Sequence, residues 1–316
     1  MTNAPLDPMA SAMLAESVAW RSSWHPEGSR HLVDGDFEFY LHGADATLLR
    51  FHGPDGDPRR ILDDALRTVS AHGASGLRIT VGLGTFADLD DDEVARRGGT
   101  LVAVVDVVAR AVDASVANSV PVPTEIAVRR VQTADDLALF ASISERAWGF
   151  APPVLADPGF DVGDPTTRLF IAERVSSAAC SASAEPAGDH VGAGGFELAG
   201  PTARFWGAAI LPAYRGRGAY RALVAARLRD ALGCGARLAL VHAEQTSSPI
   251  LQRIGFARYA QRRLTWFPVP GQVDRAQVDR AQGSRAQGSR AQGSRAQGSR
   301  AQGSRAQGSR ALGEQR

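Results

Sequence analysis

Between residues 125 and 268 apolar and polar positions fall into short blocks whose period changes from one block to the next. "RLFIAERV" (168–175), "HVGAGGFEL" (190–198), "ARFWGAAIL" (203–211) and "RLALVHA" (237–243) have the length and composition of strands. A short strand over 125–131 precedes them, and "ARYAQRRLTWF" (257–267) closes the series. From 217 to 232 the apolar positions are Tyr220, Leu223, Val224, Leu228, Ala231 and Leu232, a helical stripe and not an alternation. Thr133 and Asp136 make the capping box of another helix, running to about Trp148, and "SSPILQRIG" (247–255) is a short third one. Strand, turn, helix and strand over 203–243 imply parallel pairing through a right-handed crossover. The remaining loops, including a Ser/Ala-rich one at 176–189, imply antiparallel neighbours. The expected class is α/β (α+β): a mixed, mostly antiparallel sheet with helices on both faces.

The first 115 residues echo this order. "RRILDDALRTVSAHGASGLRITVGLG" followed by "EVARRGG" reads like "AYRALVAARLRDALGCGARLALVHA" followed by "LQRIGF": helix, glycine break (Gly76 and Gly235), strand, short helix. "FEFYLHGADATLLRF" (37–51) is a hairpin ahead of it, and "DLDDDE" (88–93) is a helix start favoured by its own charges. Where the later half has "YRGRGA" the earlier has "GDPRRI", whose Asp57 repels anions. Pro121 and Pro123 mark a boundary. The division expected is a degenerate copy over 1–118, a linker over 119–124, a second domain over 125–268 and a tail over 269–316.

Composition narrows the possibilities. The 316 residues carry a net charge of +1, yet the stretch from Gly271 onward holds nine arginines against Asp274, Asp279 and Glu314, so the preceding part is mildly acidic and bears no nucleic-acid footprint. Every one of the 35 basic residues is arginine, which excludes lysine Schiff-base or lysine-base chemistry. Cys180 and Cys234 are too few for a disulfide framework, and the seven histidines lack metal-ligand spacing, so no metal is expected. The N-terminus lacks the basic start and apolar core of a signal peptide, and no run approaches a membrane span; a cytoplasmic protein without a membrane partner is expected. "AQGSR" repeats from Ala281 to Arg310 with nothing to bury, which predicts disorder. Evenly spaced arginines there suit RNA or an acidic partner, but a repeat merely tolerated at the chain end is the favoured explanation.

The chemistry concentrates in "PAYRGRGAYRALV" (212–224). At a helix N-terminus unpaired N–H groups and the aligned peptide dipoles favour an anion. Gly216 and Gly218 let a phosphate come close to the backbone, and Arg215 and Arg217 add charge. The lysine-dependent phosphate loop is excluded, and the dinucleotide pattern fails because Arg221 stands where a third glycine belongs.

"AILPAYRGRGAYRAL" resembles the acyl-CoA motif of the GNAT acetyltransferases, [QR]-x-x-G-x-[GA], through Arg215, Gly218 and the framing Ile210 and Pro212; Tyr220 replaces the usual Gly or Ala. "SSPILQRIGF" resembles the second motif of that family, which ends in Gly-Phe, here Gly255 and Phe256. The resemblance covers residues 125–267 and implies a GNAT-like sheet in which the strand before the glycine turn splays from its parallel neighbour. It implies acetyl-CoA as co-substrate, held by Ile210, Leu211, Arg215, Gly216, Arg217, Gly218, Ala219, Tyr220 and Ser247. It also implies acetyl transfer to a primary amine on a small molecule or peptide, with nucleic acid not expected as a partner and a homo-oligomer left open. A non-catalytic CoA-binding module is the alternative, and a tail-borne RNA or acidic-partner binder a third.

Both usual acid–base groups of that family are missing. Leu251 stands where relatives carry a tyrosine acid, and Arg204, Phe205 and Trp206 occupy the strand that elsewhere carries a glutamate base. Glu197, His242 and Tyr220 are the substitute catalytic candidates. A solvated carboxylate, a structural histidine and a core tyrosine are the competing readings of the three.

Overall fold

The structure, a computed structural model, describes residues 8–20, 28–149, 162–175 and 189–270. The arginine-rich tail, Cys180 and most of the Ser/Ala-rich loop lie outside them. The first half runs α1 (Pro8–Ala19), β1 (Arg30–Asp34), β2 (Phe37–His42), β3 (Asp45–Phe51), α2 (Pro58–Ala71), β4 (Gly76–Val81), α3 (Asp91–Arg96), β5 (Thr100–Ala111) and α4 (Ala114–Ser119). The second runs β6 (Ile126–Arg130), α5 (Ala134–Trp148), β7 (Thr167–Arg174), β8 (Asp189–Ala199), β9 (Thr202–Ile210), α6 (Ala219–Gly233), β10 (Leu238–Glu244), α7 (Ser248–Arg253) and β11 (Ala257–Pro268). Local signals account for the boundaries. Thr133 and Asp136 exchange hydrogen bonds as a capping box, and the acidic run opens α3 with the Asp90 side chain accepting from the Glu93 N–H.

All eleven strands form one sheet in the order β1-β2-β3-β4-β11-β5-β10-β9-β8-β7-β6. Pairing is antiparallel except for β3 with β4 and β9 with β10. The mixed α/β class with a mostly antiparallel sheet is therefore what the chain adopts. The centre of the sheet holds an exchange: β5, from the first half, lies between β10 and β11, while β11, from the second, lies between β4 and β5. The sheet thus runs unbroken across the two halves.

Alternating side chains sort the helices by face. Val108, Ala239 and Val241 face the core under α6, together with Leu223, Val224 and Leu228, and α7 adds Leu251 on that side. Val107, Ala109 and Leu240, offset by one, face Met13 and Trp20 at and just beyond α1, and Leu169, Ile171 and Ala193 face Phe140 and Ile143 of α5. A separate core joins α2 to Phe39, Leu77 and Ile79, and Phe267 of β11 completes it.

Candidate active site

β9 and β10 pair only from Thr202–Leu238 to Phe205–Val241. Beyond that point β10 continues to Glu244 against β5 alone, while β9 continues against β8. The parting coincides with a bulge. Trp206 faces Gly195 and Ala209 faces Ala193, so β9 carries one more residue than β8 over this stretch. Gly207, inside the bulge, has φ of 65°, a left-handed value that glycine adopts without strain. The opening lies at the strand end that leads into the glycine turn.

The turn leaves the following helix without a side-chain cap. Gly218 takes φ of 86° as the N-cap of α6, no side chain caps the helix, and the first helical bond is Ala222 N–H to Gly218 O at 3.0 Å. The N–H groups of the first turn therefore point outward without a side-chain acceptor, in the arrangement that receives phosphate. A β-carbon on Gly218 would overlap the Pro123 ring. Arg217 is exposed, its guanidinium 5.9 Å from the centre of the Tyr214 ring, and the Tyr214 hydroxyl donates to Asp189 at 3.0 Å. Arg215 instead turns back, donating to the carbonyls of Ile210 (3.2 Å) and Ala147 (3.3 Å). It braces the turn against β9 and α5.

Among the residues expected at the site, Ile210 ends β9, and Leu211 leads through the turn at Arg215 to Gly218 into Ala219 and Tyr220 of α6, with Arg215 bonded back to Ile210 O. Tyr220 sits in the first turn of α6, half-buried and near the Ser247 side chain, and burial pushes its phenol up. Ser247 holds the N-cap position of α7 without a side-chain cap bond, and its hydroxyl donates to Glu244 O at 3.2 Å.

The three catalytic candidates do not form one constellation. Glu197 pairs across the sheet with Arg204, in the stretch where β9 and β10 are still joined, and accepts from the Arg204 guanidinium at 3.1 Å. Glu16 of α1 accepts from the same arginine at 2.6 Å. His242 is one residue past the last parallel partner, at the parting of the strands, on the α1 face. Its Nε2 lies 2.8 Å from Ser17 Oγ, Arg262 reaches both ring nitrogens (2.8 and 2.9 Å), and the Trp20 ring lies 4.3 Å away. Burial first, then the charges of Arg262 and Arg204, hold the imidazole well below its ordinary value. It is neutral at physiological pH and covered by α1 and Trp20. The sequence gives no hint of this cover, because the stretch before Trp20 has no periodic apolar stripe.

Arg227 is the second unforeseen feature. It lies on the buried stripe of α6 and is 2 % exposed. Its guanidinium donates to the carbonyls of Leu223 (3.2 Å), Gly195 (3.2 Å) and Trp206 (3.4 Å) and stacks 4.8 Å from the Phe205 ring centre. Among the described residues no carboxylate pairs with it. Burial lowers its pKa to about 10, which leaves it charged at neutral pH.

The first half repeats the splay without the turn. β3 and β4 pair only from Asp45–Gly76 to Thr47–Arg78, and a bulge separates the pairs Phe39–Leu48 and Glu38–Arg50. The helix that follows is capped by Asp57, which accepts from the Arg59 N–H at 3.0 Å, and Pro58 contributes no N–H at all. The buried positions Ile61, Leu62, Ala65, Leu66 and Val69 of α2 have the spacing of Leu223, Val224, Arg227, Leu228 and Ala231 in α6. Ala65 thus stands where the second half has Arg227.

Among the described residues no helix is long and apolar enough to cross a membrane, and no group of His, Cys, Asp and Glu is arranged to hold a metal. No family model matches the sequence, and no curated protein matches it. Solved structures do. A GCN5-related N-acetyltransferase from Kribbella flavida is 17% identical with a TM-score of 0.53, over 84% of this chain and 96% of that one. One from Sphaerobacter thermophilus is 16% identical with a TM-score of 0.55, over 74% and 77%. A tandem GNAT protein from the clavulanic acid biosynthesis pathway is 13% identical with a TM-score of 0.52, over 82% and 92%. With the splayed parallel pair and the glycine turn already in view, these likenesses establish that the chain has the GNAT acetyltransferase fold.

Proposed function

We propose that the second half is an acyl-CoA-dependent N-acyltransferase site that uses acetyl-CoA and acts on a primary amine of a small molecule or peptide. The observation that carries this reading is the parting of β9 from β10 directly before a helix end with no side-chain cap, flanked by Gly216, Arg217 and Gly218. The residues suit coenzyme A: the amides of 216–220 and Arg217 for the pyrophosphate, and the β9 backbone near Ile210 and Leu211 for the pantetheine arm. Bound there, acetyl-CoA supplies an activated acyl group. The amine nitrogen bonds to the acyl carbon, the carbon–sulfur bond breaks, and the proton shed by nitrogen ends on sulfur. Arg215 keeps the turn in place by holding Ile210 O. Tyr220, protonated and next to Ser247, is the chain's candidate to supply the sulfur's proton, and neutral His242 its candidate base once the Trp20 side opens.

A second reading has a specific observation in its favour. Glu197 is held by Arg204, and His242 is bonded and stacked on every side that is described. A CoA-binding module without turnover fits that arrangement.

Calorimetry with acetyl-CoA tests the ligand. Gly218 is a poor probe because any β-carbon meets Pro123. Arg217→Glu is better, since the arginine is exposed and rests only on the face of Tyr214 among the described residues. Binding that falls at least tenfold in Arg217→Glu supports the site; no binding by the unaltered protein rejects both readings. Release of free thiol with a panel of amines then separates the enzyme from the module.

A further inference from the structure

A buried guanidinium without a carboxylate is costly, and neighbouring carbonyls offset only part of the cost. Arg227 is such a group, and its place is specific: it reaches one carbonyl on each strand of the bulge, Gly195 of β8 and Trp206 of β9. Holding the bulge open does not explain it. The first half builds the matching bulge at Leu49 with Ala65 in the equivalent helical position and no guanidinium. What the second half has and the first lacks is the anion-receiving turn. The unpaired positive charge accompanies that turn.

A planar trans peptide points its N–H opposite to its C=O. The Trp206 carbonyl faces Arg227 on the α6 side, so the Gly207 N–H faces away from it, at the height where β9 parts from β10. Gly207 opens toward the other face, where Trp148 of α5 is its nearest neighbour at 3.8 Å from a β-carbon position. A cation bonded to a carbonyl draws electron density through the peptide and makes the N–H of the same unit a stronger donor. Donors already set where negative charge develops are an effective form of transition-state stabilisation.

We propose that Arg227 is a positioning and polarising residue for acyl transfer, acting through the Trp206–Gly207 peptide, whose N–H receives the oxygen of the acyl group as it becomes negative. This rests on the acyl-CoA reading above. It places the missing electrophilic help on a residue behind the strand, in a site whose usual acid and base positions hold Leu251 and Arg204, Phe205 and Trp206.

The test uses the full chain with acetyl-CoA carrying carbon-13 at the carbonyl, read by infrared difference spectroscopy. In the unaltered protein the bound carbonyl stretch moves to lower frequency than in free acetyl-CoA. Arg227→Met fills the same space without charge; it is expected to bind with affinity within about threefold of the parent while the shift is lost, because the phosphate turn is untouched. Arg227→Lys restores part of the shift. If Arg227→Met does not fold, Arg227→Gln, which keeps donors but not the charge, gives the same reading. A bound carbonyl equally shifted in the parent and in the neutral variant overturns the proposal while leaving the acyl-CoA site intact. Failure of the parent to bind acetyl-CoA rejects the acyl-CoA reading itself, and this proposal falls with it. Where an amine acceptor is known, kcat falls at least tenfold in Arg227→Met with KM for acetyl-CoA little changed, and the lysine variant recovers part of it.

Discussion

The two halves share a local arrangement of strands and differ at the helix end that follows it. Each has a hairpin, a bulge, a parallel pair that parts after its first few residues, and a helix crossing back over the sheet. In the first half the helix end is closed, by a carboxylate that accepts from the Arg59 N–H and a proline that brings no N–H of its own. In the second it is left open, with Gly218 at the cap, no side-chain acceptor there, and Ala219 in the first helical position. On the reading proposed above, anion affinity in this architecture would depend on what is withheld from a helix terminus as much as on the arginines nearby. The sheet geometry, common to both, sets only where a ligand would lie.

The comparison fails most visibly if the halves are independent. Leu223→Ala and Ile61→Ala remove matching core side chains, and each is expected to cost about 2–5 kcal/mol. Because β5 and β11 are exchanged, both variants should lower one common denaturant transition. Two separate transitions would show that the halves unfold apart. Next in size is the ligand contrast: Arg217→Glu weakens acetyl-CoA at least tenfold, about 1.4 kcal/mol, whereas Arg60→Glu at the closed helix of the first half leaves the calorimetric affinity unchanged.

A third contrast concerns protons. One residue past the last parallel partner stands His242 in the second half and buried Ile79 in the first. The folded state keeps His242 neutral, with its pKa below the unfolded value of about 6.5. The unfolded chain then binds the extra proton, so stability is full above about pH 6.5 and declines as the pH falls below it, by at most about 1.4 kcal/mol per pH unit. His242→Gln should flatten the fall in melting temperature between pH 6.5 and 5; an unchanged slope would place the acid sensitivity elsewhere. The smallest effect belongs to the closed helix. Asp57→Ala forfeits a cap, about 1 kcal/mol by thermal unfolding, and leaves acetyl-CoA binding as it was.

What could be read from the sequence was local. The strands from 168 to 211, the capping box at Thr133 and the turn at 215–218 depend on neighbours within a few positions, and the structure has them within a residue or two. The stripe expected from Arg217 starts at Ala219, because Gly218 takes the left-handed cap. The glycine break that matches Gly235 is Gly73 and not Gly76: each lies two residues past its helix with a left-handed φ (82° for Gly73 and 81° for Gly235), while Gly76 already lies in β4 under Trp266. Arg227 was hidden for a different reason, since a charged residue on a helix is ordinarily solvated and its carbonyl partners belong to other strands. Strand exchange was hidden most completely. Pairing of β5 with β11 joins residues far apart in sequence, and no pattern inside either strand announces its partner.

That exchange also orders events in time. β5 leaves the ribosome well before either of its neighbours, since Ala111 must wait for Leu238 and Ala109 for Ala257. Until then a strand carrying Leu101, Val102, Val107 and Val108 has both edges bare, and the first half has no completed sheet to close over it. Folding of this chain therefore cannot finish half by half, and its rate is governed by the closing of one very long loop. During that interval the newborn chain depends on dilution or a chaperone to keep β5 from pairing with a neighbour's edge.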